Sequence, residues 1–240
     1  MFRVERSLQD RRRRRRRADE STSQLPFWVG PAIALVLVLI VQALVVKLYA
    51  VPSGSMEQTL EAGDRILVER IVPSPHDRGD VIVFEATPEW GSLGPVTNVV
   101  DGALRVIGTV TGLGPGAPYS LVKRVIGLPG EEVACCDAEG RVTVDGEPLD
   151  EPYVFEDPAF EPGTLDCTTE QRSLRCFGPV AVPEGEFLVL GDHRSASSDS
   201  VVSCRGAPEG ADCARFVPEE QVVGLAFARV WPLTRIGAVD

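Results

Sequence analysis

Leu121-Val122-Lys123-Arg124-Val125-Ile126, stopped by Gly127-Leu128-Pro129-Gly130, is a short aliphatic and β-branched run ending in a Gly/Pro turn. Such a length suits a strand better than a helix, and the Val and Ile side chains suit a pleated surface. The same grammar repeats on both sides. Arg65 to Glu69, Asp80 to Phe84, Arg141 to Val144, Phe187 to Leu190 and Val222 to Val230 are similar runs between Gly, Pro and Asp. Asp145-Gly146, between Val142-Thr143-Val144 and Pro148, signals a hairpin with a primed turn. No long, clean helical period follows Val51 and no internal repeat is visible, so the sequence predicts a mainly β domain of antiparallel sheets over 50–240. Glu85 to Pro118 and Glu156 to Pro183 are rich in Gly, Pro and Thr and are expected to be loop-rich insertions, near 85–118 and 156–183.

Upstream the chain changes character. Phe27 to Val46 carries no charge and one strongly polar side chain, Gln42, and is closed by Lys47 and Tyr49. Twenty helical residues span roughly 30 Å, about one hydrocarbon core, so a transmembrane signal-anchor helix is predicted over 27–49. Residues 1–26 hold nine Arg, seven of them in the run Arg11 to Arg17, against Glu5, Asp10, Asp19 and Glu20. This arm is expected to be disordered. Arginines beside an apolar span stay cytoplasmic, which puts the rest of the chain outside. Phe27, Trp28 and Tyr49 suit the two interfaces, and Lys47 can extend its ammonium to the headgroups. Two rivals stand: for Arg11 to Arg17 a solvated charge run or a nucleic-acid tail, and for the whole segment a cleaved signal peptide ending at Ala50. The second fits less well, because such apolar cores run about 7 to 15 residues and Leu48 is large where a small residue is wanted.

At 240 residues with 44% hydrophobic content the chain can bury a sizeable core. After Val51 there are 14 Lys+Arg against 31 Asp+Glu, which excludes a nucleic-acid-binding ectodomain on electrostatic grounds. All six cysteines, Cys135, Cys136, Cys167, Cys176, Cys204 and Cys213, follow the span, as expected of disulfides in an oxidising compartment. Their connectivity is open. Cys167 to Cys176 and Cys204 to Cys213 share one offset, and each bridge would be worth roughly 2.5 to 3 kcal/mol by chain entropy. Zinc is the rival reading, although the spacings are not those of zinc knuckles and there are only two His.

Just past the span, Val51-Pro52-Ser53-Gly54-Ser55-Met56 places two hydroxyls one Gly apart in a turn that could present one of them outward. Alone, this is also an ordinary exposed turn. Lysine usage adds weight: the chain has 22 Arg and two Lys, Lys47 and Lys123. Arg cannot lose its proton in a protein, so a position that needs a neutral amine is where Lys would survive. At an ordinary pKa only about one lysine in a thousand is neutral near pH 7.4, and a depression of about three pH units by burial would make Lys123 a usable base. The bland alternative is a gatekeeper charge on a strand edge. His76 lies in a polar turn, Ser74-Pro75-His76-Asp77-Arg78. His193 could instead complete a Ser-His-Asp set with Ser55 and Asp192 or Asp199.

Ser53-Gly54-Ser55-Met56, Gly63-Asp64-Arg65, Arg78-Gly79-Asp80-Val81-Ile82-Val83-Phe84, Lys123-Arg124-Val125-Ile126-Gly127-Leu128-Pro129-Gly130-Glu131 and Gly191-Asp192-His193-Arg194 through Ser197 to Asp199-Ser200 occur in this order. The chain from about Tyr49 to Trp231 thereby resembles the bacterial type I signal peptidases. That resemblance implies a membrane-bound serine endopeptidase that removes signal peptides from exported preproteins after small residues at the first and third positions before the bond. It implies Ser55 as nucleophile and Lys123 as general base, with an oxyanion hole formed by the Ser55 N–H and the Ser53 hydroxyl. Ser197 is implied to orient the lysine and Asp199 to support the site. Val51, Met56, Leu60 and Val122 match wall positions of shallow substrate pockets, although taken alone they read as ordinary core. No cofactor and no metal are implied; the partners are preproteins and the lipid bilayer, and a monomer is expected.

The match has departures. The box after Leu190 usually reads Gly-Asp-Asn-Arg-Asp-Asn-Ser, whereas here His193, Ser195 and Ala196 replace three polar residues. Val201 stands where the family usually has an Arg paired with the Asp matching Asp199, which puts the ion-pair support of that loop in question. Cys135-Cys136 and the Cys204 to Cys213 loop fall outside the family's core pattern. The competing function is an inactive homologue, a single-pass ectodomain binding a surface partner; retention of Ser53, Ser55, Lys123 and Ser197 favours the enzyme.

Overall fold

A computed structural model describes residues 26–71, 77–91, 96–111, 119–206 and 212–239. The basic arm and His76 lie outside the described residues. The chain divides into two compact units, Met1–Ile40 and Val41–Asp240.

Helix α1, Val29–Leu44, is made of apolar side chains apart from Gly30, Pro31 and Gln42, with no acid in its first turn and no base in its last. It is shorter than the expected 27–49. Phe27 and Trp28 form a turn, and after Val45 the chain becomes strand β1, Val46–Ala50. Lys47 and Tyr49 are therefore strand residues, a correction to their expected place at a helix end. The cause is tertiary: β1 pairs antiparallel with β2, Arg65–Glu69, from Val46↔Glu69 to Ala50↔Arg65, and the ladder takes the backbone groups that a longer helix would have bonded internally. Sixteen helical residues reach about 24 Å. Among the described residues, no helix is long and apolar enough to cross a membrane.

The second unit is mainly β, as expected. Strands β3 (Val81–Glu85), β4 (Ser120–Gly127), β9 (Glu186–Leu190), β10 (Val217–Pro218) and β11 (Val222–Trp231) join the first two in the order β1-β2-β11-β3-β4-β9-β10, with β12 (Gly237–Ala238) on β11. A second sheet runs β7 (Glu147–Pro148), β6 (Val142–Val144), β5 (Glu132–Cys135), β8 (Phe177–Ala181). Every paired strand is antiparallel. Asp145 and Gly146 adopt φ 51° and 82°, the positive values that the predicted hairpin turn requires.

One element was not expected. Helix α2, Val99–Thr111, stands inside the 85–118 insertion. Gly102, Gly108 and two threonines lower its intrinsic propensity and hide its period. Its start is explained by capping: Asn98 Oδ1 accepts from Asp101 N–H at 2.8 Å, and the Asp101 carboxylate accepts from Thr97 N–H at 3.1 Å.

Strand β4 is buried on both sides, because successive residues alternate between faces. Leu121 and Val125 pack in one apolar cluster with Phe84, Trp90 and Phe187. Val122 faces a second cluster under the 51–64 loop, and Ile126 a third that extends beneath the smaller sheet. A lysine at the central position of such a strand has little water around it.

Candidate active site

The loop between β1 and β2 is closed at its base. Val51 N–H donates to the Asp64 carbonyl and Gly63 N–H to the Val51 carbonyl, both at 2.9 Å, while the Asp64 carboxylate accepts from Glu61 N–H. Within it, Glu57 N–H closes a turn on the Gly54 carbonyl at 3.0 Å, and the Ser55 carbonyl accepts His193 N–H at 3.1 Å. Ser55 is thereby held between its own turn and the segment after β9, and it is buried.

Lys123 is opposite Ile82 in the β3–β4 register and is 3% exposed. Its Nζ lies 2.6 Å from Ser55 Oγ and 3.2 Å from the Val122 carbonyl. Burial drives its pKa down from the ordinary lysine value to about 8; Asp199 and Asp192 pull it upward and Arg215 pushes it further down. Ser53 is exposed, with Oγ 3.5 Å from Ser55 Oγ. A buried hydroxyl in contact with an amine that sheds its proton near neutral pH has the makings of a nucleophile and base.

Ser197 is buried nearby, but its Oγ makes no hydrogen bond among the described residues and does not reach Lys123. Its neighbour is Gly191, where an added Cβ would overlap Ser197 Oγ and approach the Ser55 carbonyl. Asp199 is fully buried; its carboxylate accepts from Gly191 N–H at 3.4 Å and Val201 N–H at 3.3 Å. Val201 is a core residue, and the cation that faces Asp199 is Arg205, at 3.4 Å.

Asp192 is engaged elsewhere. It accepts two bonds from Arg124, at 2.9 and 2.8 Å, and one from the Thr59 hydroxyl at 2.6 Å. Arg124 also stacks over the Tyr153 ring at 3.9 Å. His193 points its ring nitrogens at Glu57 and Glu156, at 3.2 and 3.4 Å. The alternative Ser-His-Asp set is not assembled. Arg194 forks onto Glu151 and also donates to the Gly191 carbonyl, adding a second tie to this segment.

Val51, Met56, Leu60 and Val122 share one buried apolar cluster with Ile66, Val68, Val81, Val83 and Ala226, the surroundings of an ordinary core. The cysteines pair as Cys135–Cys136, Cys167–Cys176 and Cys204–Cys213. Among the described residues, only Cys136, Cys167 and Cys176 are spaced to share a metal ion, and all three sulfurs are in disulfides.

Sequence reasoning missed Arg205 and the Arg124–Asp192 pair. A signal for the second existed: an Arg in the apolar run Leu121 to Ile126 must find an acid if the strand is covered on both faces. Arg205 could have been sought as the replacement for the missing cation at position 201.

The signal peptidase, peptidase S26 family model matches residues 26–231. Signal peptidase I of Mycobacterium tuberculosis is 37% identical over 89% of this chain and 74% of its own. The probable signal peptidase I of Mycobacterium leprae is 36% identical over 89% and 78%, and the probable signal peptidase I-2 of Synechocystis is 33% identical over 85% and 72%. A solved signal peptidase I from Enterococcus faecalis overlaps loosely, with a TM-score of 0.35 and 24% identity over 64% of this chain and 98% of that one. A match over nearly the whole sheet-bearing unit places the chain in a family: it belongs to the signal peptidases of peptidase family S26.

Proposed function

We propose that this protein is a membrane-anchored serine endopeptidase that removes signal peptides from exported preproteins, cutting after small residues at the first and third positions before the bond. The observation that carries the reading is the 2.6 Å approach of Lys123 Nζ to Ser55 Oγ in a buried setting that favours the neutral amine. Neutral Lys123 takes the hydroxyl proton as Ser55 Oγ attacks the scissile carbonyl carbon. The ammonium then gives that proton to the departing amine as the C–N bond breaks, leaving an acyl-enzyme. The same amine next activates water for deacylation. Ser53 and the Ser55 N–H are the oxyanion donors. Ser197 and Asp199 support the segment that receives the Ser55 carbonyl, and the edges of Val51, Met56, Leu60 and Val122 line pockets that admit Ala and exclude larger side chains.

The anchor reading draws on the uncharged stretch from Phe27 to Val46 and on α1, where Ile33, Leu35, Val36, Leu37 and Val38 are about half exposed with no polar face. A helix that is apolar all round belongs in lipid or in a core. The turn at Phe27-Trp28 adds two apolar residues ahead of it. The arginine arm stays cytoplasmic and the β domain is outside.

Preprotein cleavage by the purified chain, compared with Ser55→Ala and Lys123→Arg, tests the chemistry. Loss in both variants with folding intact is expected; equal product from all three would remove the proposal. Lys123→Arg is the sharper change, since it keeps the charge and removes only the capacity to deprotonate. Protease protection in sealed vesicles tests the orientation.

A further inference from the structure

The amphipathic helix α2 is inside out. Val99, Val100, Leu104 and Val106 are 89%, 68%, 52% and 64% exposed, and Ala103 is exposed with them. At 100° per residue these five fall within an arc of about 160°. The opposite arc holds Asp101, Gly102, Arg105 and Gly108, and these are the residues turned inward. There Asp101 and Arg105 neutralise each other at 3.1 Å and the would-be Cβ of Gly102 meets Val96. A helix that only had to be soluble would show the other face.

The insertion bearing α2 leaves β3 after Glu85 and returns at Ser120, which are directly paired. That rim is also where the chain enters the sheet from α1. Val46 pairs with Glu69, Arg70 N–H donates to the Val45 carbonyl at 2.9 Å, and the Tyr49 hydroxyl bonds the Ser120 side chain. Both ends of the insertion are thus tethered at the rim of the sheet where the chain first joins it, at Val46. The outward arc carries no charge, and the helix, at 13 residues, reaches only about 20 Å, too short to span a bilayer but suited to lie in its surface.

The geometry points to α2 as an in-plane helix that beds its Val99, Val100, Leu104 and Val106 face into the outer leaflet, fixing the tilt of the sheet on the membrane. This rests on the anchor reading under Proposed function. All six native cysteines are in disulfides, so Leu104→Cys supplies a unique thiol for an environment-sensitive fluorophore, with Glu147→Cys on the exposed β6–β7 hairpin as control. The full chain is reconstituted in phosphatidylcholine/phosphatidylglycerol vesicles containing shallow spin-labelled lipid. The expected result is a blue-shifted probe at 104, quenched by the lipid severalfold more than at 147 and shielded from aqueous iodide. Val100→Asp combined with Val106→Asp should abolish that quenching while leaving peptide cleavage in detergent unchanged. Equal iodide access at 104 and 147 in vesicles that carry the protein would overturn the inference. So would shielding from both quenchers that disappears when labelled protein is diluted in lipid, which would mean a second copy covers the face. Failure to float with the vesicles at all would instead fail the anchor reading and take this inference with it.

Discussion

Arg205 Nη2 stands 3.4 Å from Asp199 Oδ2, at the end of a turn in which Arg205 N–H donates to the Val201 carbonyl at 3.1 Å. That turn returns the side chain four positions on toward position 201, as one turn of helix does. Position 201 itself is filled by a buried Val that packs with Cys204 in the core. The cation that the family resemblance placed at 201 is thus supplied from 205, and the Cys204–Cys213 bridge secures the turn that carries it.

Removing that cation leaves a fully buried carboxylate whose remaining partners among the described residues are two long backbone hydrogen bonds and the charges of Lys123 and Arg215. Arg205→Ala should therefore cost about 1–3 kcal/mol in denaturant unfolding. Cys204→Ser with Cys213→Ser should lose part of the same stabilisation, so all three changes together should cost less than the sum. Full additivity would show that the bridge does not position Arg205.

With Lys123 at about 8, roughly one molecule in ten holds a neutral amine at pH 7. Provided chemistry is limiting, kcat/KM should rise about tenfold per pH unit below pH 7, bend near pH 8 and level off above it. A profile already level at pH 6 would mean that the base is a different group.

Much of this was legible in the residues. Strands at Arg65 to Glu69 and Phe187 to Leu190 carry strong β-branched and aliphatic signals bounded by turn residues, and they formed within a residue of expectation. The approach of Ser55 and Lys123 was implied by the family resemblance of their two boxes, and the scarcity of lysine in an arginine-rich chain, which has only Lys47 besides Lys123, added weight. Two things were not. Helix α1 stopped at Leu44 because β2 claims Val46 to Ala50, a partner distant in sequence that no local pattern reveals. Ser197 was expected on Lys123, yet it packs on Gly191, because the side chain's direction is set by how closely two backbones approach.

Gly191 fills that close approach. Its backbone angle is one any residue can adopt, so the constraint is space alone: an added methyl would strike Ser197 and crowd the carbonyl of Ser55. Gly191→Ala should cost about 1–3 kcal/mol by overpacking. Its effect on kcat should be far larger, on the order of 100-fold, since displacing Ser55 by an ångström spoils its alignment with substrate. Steady-state kinetics beside a thermal melt separates the two, and a variant that melts lower but cleaves normally would detach Gly191 from the site.

Lys123 also ties activity to a loss of stability whose sign can be worked out. Its folded pKa, about 8, is below that of an unfolded lysine, about 10.4, so between those values the unfolded chain holds a proton that the native one has released. Native stability must then rise with pH across that window, and below pH 8 the protein carries the full penalty of a buried ammonium, about 3 kcal/mol at most. Methionine has nearly the same length and no charge to desolvate. Lys123→Met should therefore be inactive yet more stable than the parent at pH 7, with a gap that narrows above pH 8 and closes toward pH 10.5. Urea midpoints measured for both proteins at several pH values would check this. A gap that stays constant over the range would mean that the amine keeps its proton in the folded state, and Ser55 would then have no base beside it.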